Sequence, residues 1–96
     1  MSKVRELEED FIGKGEVKGF KFTQIKKNNY AYLYAVDTGD MVFFEVFKRV
    51  VNNRFNCVSY PRSKSFGKWA KTTRLLVDAH TYFDEYTFLG EEAQYE

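Results

Sequence analysis

Cysteine and proline occur once each in the 96 residues, as Cys57 and Pro61. A lone cysteine excludes an internal disulfide and leaves no thiol pair for a structural zinc site. A free thiol suits a reducing compartment. Histidine also occurs once. His80 and Asp84 stand four apart on a predicted helix, but two ligands do not complete a metal site, so none is expected. No apolar run approaches the ~20 residues that span a bilayer. Residues 1–6 are too polar for the apolar stretch of a signal peptide. The expected location is cytoplasmic, with no membrane partner.

Catalytic groupings are missing too. Neither Gly13-Lys14-Gly15 nor Ser65-Phe66-Gly67-Lys68 has the spacing of a phosphate loop. Asp37 and Asp40 flank a turn whose chemistry explains both. Nothing assembles a nucleophile, a base and an oxyanion donor. The chain is expected to be no enzyme and to need no cofactor.

What is abundant is aromatic. Ten Phe, seven Tyr and one Trp make up 19% of the chain. The length suits one domain over residues 1–96, with a core at about 14–89 and a solvated acidic tail at 91–96. The net charge of +1 conceals a segregation: −2 over residues 1–10, +9 over 11–74 and −6 over 75–96. Such asymmetry marks either an anionic partner or pairing between sheet and helix.

The periodicities predict an α+β fold, an antiparallel meander of four or five strands with a C-terminal helix on one face. Strands are expected at 16–26, 30–36, 41–50 and 54–60, with a short fifth at 66–71. Thr72 or Thr73 would cap a helix running to about Thr87 and closed near Gly90. Its inward face would carry Leu76, Ala79, Phe83 and Tyr86. Val4, Leu7 and Phe11 recur at the spacing of a short helix over 2–12. A frayed terminus is the alternative.

A turn at Thr38-Gly39 sets Val36 opposite Met41, Leu33 opposite Phe44 and Ala31 opposite Val46. The helix is expected on that Ala/Leu/Val/Phe face. The other face carries Tyr30, Tyr32, Tyr34, Phe43 and Phe47, with Glu45 and Arg49 in its pattern. Open aromatic patches mark interaction sites. Three occupants compete for it: the N-terminal segment, a second copy forming a homodimer, and a ligand or protein partner.

Between Glu45 and Asp78 there is no acid, while Lys and Arg alternate with rings. Cations neutralise phosphates and ring faces stack unpaired bases. The predicted nucleic-acid contacts are Arg49, Arg54, Arg62, Lys64, Lys68, Trp69 and Lys71. The competing reading is a solvated basic edge balancing an acidic helix. Four or five strands followed by one helix resemble, in topology, the single-stranded-DNA-binding coactivators of the PC-four type. The resemblance rests on no motif and transfers no residue. Two expectations follow for function. One is a non-enzymatic protein contacting single-stranded or flexible nucleic acid. The other is a protein-interaction, regulatory or inhibitory module of the phage or mobile-element kind, using the Tyr/Phe face.

Overall fold

The computed structural model describes residues 4–93. The chain runs through β1 (Asp10–Ile12), β2 (Lys21–Lys27), β3 (Ala31–Asp37), β4 (Val42–Lys48), β5 (Val51–Asn52), β6 (Cys57–Val58) and β7 (Ala70–Thr73). Five of these form one antiparallel sheet, in the spatial order β1-β2-β3-β4-β7. One helix, α1 (Leu76–Ala93), follows. No helix among the described residues is long and apolar enough to cross a membrane.

The central hairpin keeps its predicted faces but not its predicted partners. Leu33 lies opposite Val46, Tyr34 opposite Glu45 and Tyr32 opposite Phe47. The loop residues are Gly39 and Asp40 rather than Thr38 and Gly39. Thr38 donates its N–H to Met41 O at 3.0 Å, and Asp37 Oδ1 accepts the Gly39 N–H at 2.8 Å. Gly39 takes a φ of 95°, at the first loop position where a type II′ turn needs it. Moving the loop by one residue moves each pairing by two, so every side chain stays on its face.

Residues 49–69 leave the sheet. The expected fourth strand, 54–60, shrinks to β6, which pairs with β5 in a two-stranded ribbon separate from the main sheet. The expected fifth strand starts later, and β7 returns beside β4. The meander is therefore interrupted. Of the expected helix over 2–12, residues 2 and 3 lie outside the described residues, and residues 4–12 are not helical. Arg5 N–H donates to Asn56 O at 3.0 Å, Val58 N–H donates to Arg5 O at 2.9 Å, and β1 pairs with β2. An isolated helix of that length is marginal. Two open strand edges satisfy the same backbone groups instead.

The helix packs where expected. Ala79, Phe83 and Tyr86 bury against Ala31, Leu33 and Val46. Leu76 is 43% exposed, contrary to expectation, because β7 runs to Thr73 and the helix starts later than predicted. Thr73 does not cap it; its hydroxyl accepts the Leu75 N–H at 3.2 Å.

Gly90 does not end the helix either. It lies inside α1, against the ring of Tyr30. A Cβ there would sit 2.7 Å from Tyr30 Cγ and 2.8 Å from Tyr30 Cβ. The neighbouring turn is tied to the same stretch of helix: Asn28 Nδ2 donates to Thr87 Oγ1 at 2.8 Å. Helix propensity alone favours Ala over Gly by about 1 kcal/mol. Overpacking against ring and backbone-proximal atoms costs about 1–3 kcal/mol. Gly90→Ala should therefore lower the thermal midpoint, and Tyr30→Ala in the same chain should recover part of the loss. A midpoint raised by Gly90→Ala would refute this packing.

Candidate binding groove

The aromatic face expected to be an interface is the inside of the protein. Tyr32, Tyr34 and Phe47 are fully buried. Their rings stack, with Tyr32 and Tyr34 centred 5.5 and 5.9 Å from Phe47. Phe43 is half-buried beside them, and Tyr30 sits under the helix instead. The cover is the chain itself: Val4, Leu7 and Phe11 from one side, Val58, Tyr60, Phe66 and Trp69 from the other. These rings are thus not open to a second copy or another partner.

The hydroxyls of this face hold the cover down. Tyr32 Oη donates to the Glu6 carboxylate, and Tyr34 Oη donates to Glu8 O at 2.6 Å. Arg49 meets Glu6 through Nε at 3.0 Å and Nη2 at 2.5 Å, a two-point contact that gives geometric specificity as well as charge.

The seven predicted nucleic-acid residues therefore divide. Arg49 is committed to Glu6. Lys71 lies on the helix side of the sheet, 3.5 Å from Glu85 and 4.5 Å from the centre of the Tyr82 ring. Lys26, from the same basic middle of the sequence, likewise reaches Asp84 at 3.9 Å. Pairing between sheet and helix thus uses part of the charge segregation. Trp69 is half-buried, nearly at right angles to Phe47 with ring centres 6.4 Å apart, and lines neither of the hollows described below. Arg54, Arg62, Lys64 and Lys68 are exposed, and none makes an ion pair with another described residue. Arg54 stacks over Phe55, itself 64% exposed, at the tip of the β5–β6 ribbon.

Lys64 and Lys68 follow Arg62 along one exposed loop, and Arg62 lines a groove. Its two walls are the N-terminal segment and the loop after Tyr60. One hollow, of about 610 Å³, is lined by Leu7, Phe11, Ile12, Lys14, Val17 and Tyr60, among others. The next, of about 480 Å³, shares Lys14, Val17 and Tyr60 and adds Glu45, Pro61, Arg62 and Phe66. Both volumes fall in the usual range for ligand sites. Gly13 permits the near wall. A Cβ there would meet Val17 Cγ2 at 2.8 Å and Phe22 Cε1 at 2.9 Å, so the 14–17 turn closes only over glycine.

Glu45 lies in the pattern of the face read from the sequence as open, yet it is 3% exposed. The Tyr60 hydroxyl donates to it, 2.5 and 2.6 Å from its two oxygens. No sequence spacing links Glu45 to Tyr60; only the return of the excursion over the sheet brings them together. Among the described residues, no three His, Cys, Asp or Glu side chains gather to hold a metal.

Comparison with known proteins finds no match to a family, a curated protein or a solved structure.

The two acids oppose each other in their effect on stability. Hydrogen bonds from Arg49 hold Glu6 down to about 2, from the ordinary 4.5. Its contribution is whole above pH 4.5 and is lost as pH falls towards 2, because the unfolded chain takes up the proton first. Burial pushes Glu45 up, against the lowering effect of the Tyr60 hydrogen bond. Here the unfolded chain ionises first as pH rises past 4.5, so stability falls on the alkaline side of that point. Glu45→Gln should thus raise the denaturant midpoint at about pH 7 and leave it nearly unchanged at about pH 4. Glu6→Gln should flatten the acid limb of the wild-type profile. Equal midpoints for Glu45→Gln and wild type at neutral pH would contradict the burial penalty.

Proposed function

We propose that this chain is a non-enzymatic binding protein that holds a single-stranded or otherwise flexible nucleic acid along the groove. The observation supporting it is the convergence of Lys14 and Arg62, from two distant parts of the sequence, on one hollow. Lys64 and Lys68 extend the same loop with exposed charge. Glu16 and Glu45 share that hollow, but Lys14 and Arg62 form no ion pair with a described residue, and cations left unpaired beside a concave, ring-lined surface can track a phosphate backbone while bases stack. In this reading the stacking rings are Tyr60 and Phe66, which line the hollow, rather than Trp69. A flexible strand fits better than a duplex, because a short groove admits unstacked bases and not a helix of paired ones.

A second reading, a protein-interaction module, draws support from α1. Val77 and Phe88 are 69% and 58% exposed on its outward side, and α1 carries acids but no Lys or Arg. A partner with a basic, partly apolar surface would complement it.

Fluorescence anisotropy with labelled single strands separates the two. Affinity should fall steeply with salt, by a logarithmic slope of about 0.7 per neutralised phosphate. Charge reversal at Lys64 and Lys68 should weaken all sequences alike and reduce that slope by the same ~0.7 for each phosphate left without its cation. Absence of binding at low salt would sink the nucleic-acid reading.

A further inference from the structure

Glu45 has more acceptor capacity than the protein fills. A carboxylate offers about four lone-pair sites. The only described donor to Glu45 is one hydroxyl, that of Tyr60, which serves both oxygens. A carboxyl placed in an apolar core with so little hydrogen bonding is costly to keep. Yet it is not sealed in: it forms part of the lining of the 480 Å³ hollow, with Tyr60, Phe66, Pro61 and Val17 around it and Lys14, Arg62, Ser63 and a second acid, Glu16, also on the lining; Ser63 Oγ donates to Glu16 at 3.4 Å. A buried acceptor pair, ring faces and cations thus line one cavity. They match the three parts of a nucleotide: N–H donors on a base edge, a flat aromatic body and a phosphate.

We propose that this hollow binds the base of a guanine nucleotide, the Tyr60 hydroxyl that bridges the two Glu45 oxygens giving way so that the carboxylate accepts guanine N1–H and N2–H. The base lies against the rings of Tyr60 and Phe66, and Lys14 and Arg62 meet the phosphate. Guanine is selected by donor count. It alone among the common bases has two adjacent N–H donors on its Watson–Crick edge. Adenine and cytosine set one amino donor beside an acceptor nitrogen that would face the carboxylate. Uracil and thymine set one N–H between two carbonyl oxygens, which the carboxylate repels. The inference rests on the nucleic-acid reading above and adds to it a base preference at one site.

The test uses the intact protein and the free monophosphates of guanosine, adenosine, cytidine and uridine, followed by amide chemical-shift titration. Guanosine monophosphate should saturate, shifting Glu45, Tyr60, Ser63 and Phe66, with affinity about tenfold or more above the other three. Glu45→Gln keeps the shape of the side chain but replaces one acceptor with a donor. It should abolish the preference while leaving weak, phosphate-driven binding of all four. Arg62→Ala should weaken all four together and keep the preference. Equal affinity for the four nucleotides, or a preference that survives Glu45→Gln, overturns the proposal even if oligonucleotides bind. Selective binding of guanosine monophosphate without binding of oligonucleotides would support the pocket and discard the extended groove.

Discussion

The contact on which the architecture turns is the meeting of Tyr32, Arg49 and Glu6. A sheet with apolar side chains on both faces needs two covers, and the described residues hold one α-helix. The second cover is mostly irregular chain, which cannot satisfy its own backbone as a helix does. Tyrosine solves this where phenylalanine would not. The rings of Tyr32 and Tyr34 belong to the core, and their hydroxyls emerge where the N-terminal segment crosses, binding Glu6 and Glu8. Arg49 then closes on Glu6 from the far side. Buried phenols need partners, and here the partners are the lid.

The groove is a product of that solution. Where two irregular segments lie side by side over a flat sheet, their edges do not interdigitate as two helices do. The seam between the 7–17 and 60–66 segments runs over Tyr60, whose ring packs on Phe11, Phe22 and Phe47 while its hydroxyl holds Glu45. One residue thus anchors the wall, floors the hollow and supplies the only described donor to the buried acid.

Much of the sheet is legible in alternation. The hairpin over residues 31–48 has apolar side chains on both faces, and the small Ala31 and Ala35 mark the side a helix approaches. Alternation leaves its loop uncertain by one residue, because Thr38-Gly39 and Gly39-Asp40 both suit a glycine turn. The N-terminal segment is harder. Val4, Leu7 and Phe11 fit a helix by spacing, but the decision lies with strand edges far along the chain. Charge misleads in the same way. Arg49 looks like its neighbours in a basic run, and nothing local reveals a partner 43 residues upstream. Arg62, Lys64 and Lys68 are legible because exposure is the default for cations on a polar loop. Glu45 is not, because an acid within a Tyr/Phe pattern reads as evidence of solvent. Its burial depends on Tyr60 arriving from another part of the fold.

The clamp also imposes an order of assembly. Glu6 and Arg5 are made well before their partners, Arg49 and the ribbon at Cys57 and Val58, which come more than forty residues later. The central hairpin can form as soon as its own residues are made, since its contacts are local. Its tyrosine side then waits, bare, until residues near 58 are available to trap the beginning of the chain against it. Long-range closure of this kind is slow, and uncovered aromatic surface is where nascent chains stick to one another. The acids that crowd residues 6–10, joined to the hairpin by a short stretch of chain, give the waiting chain a like charge with which to repel its neighbours.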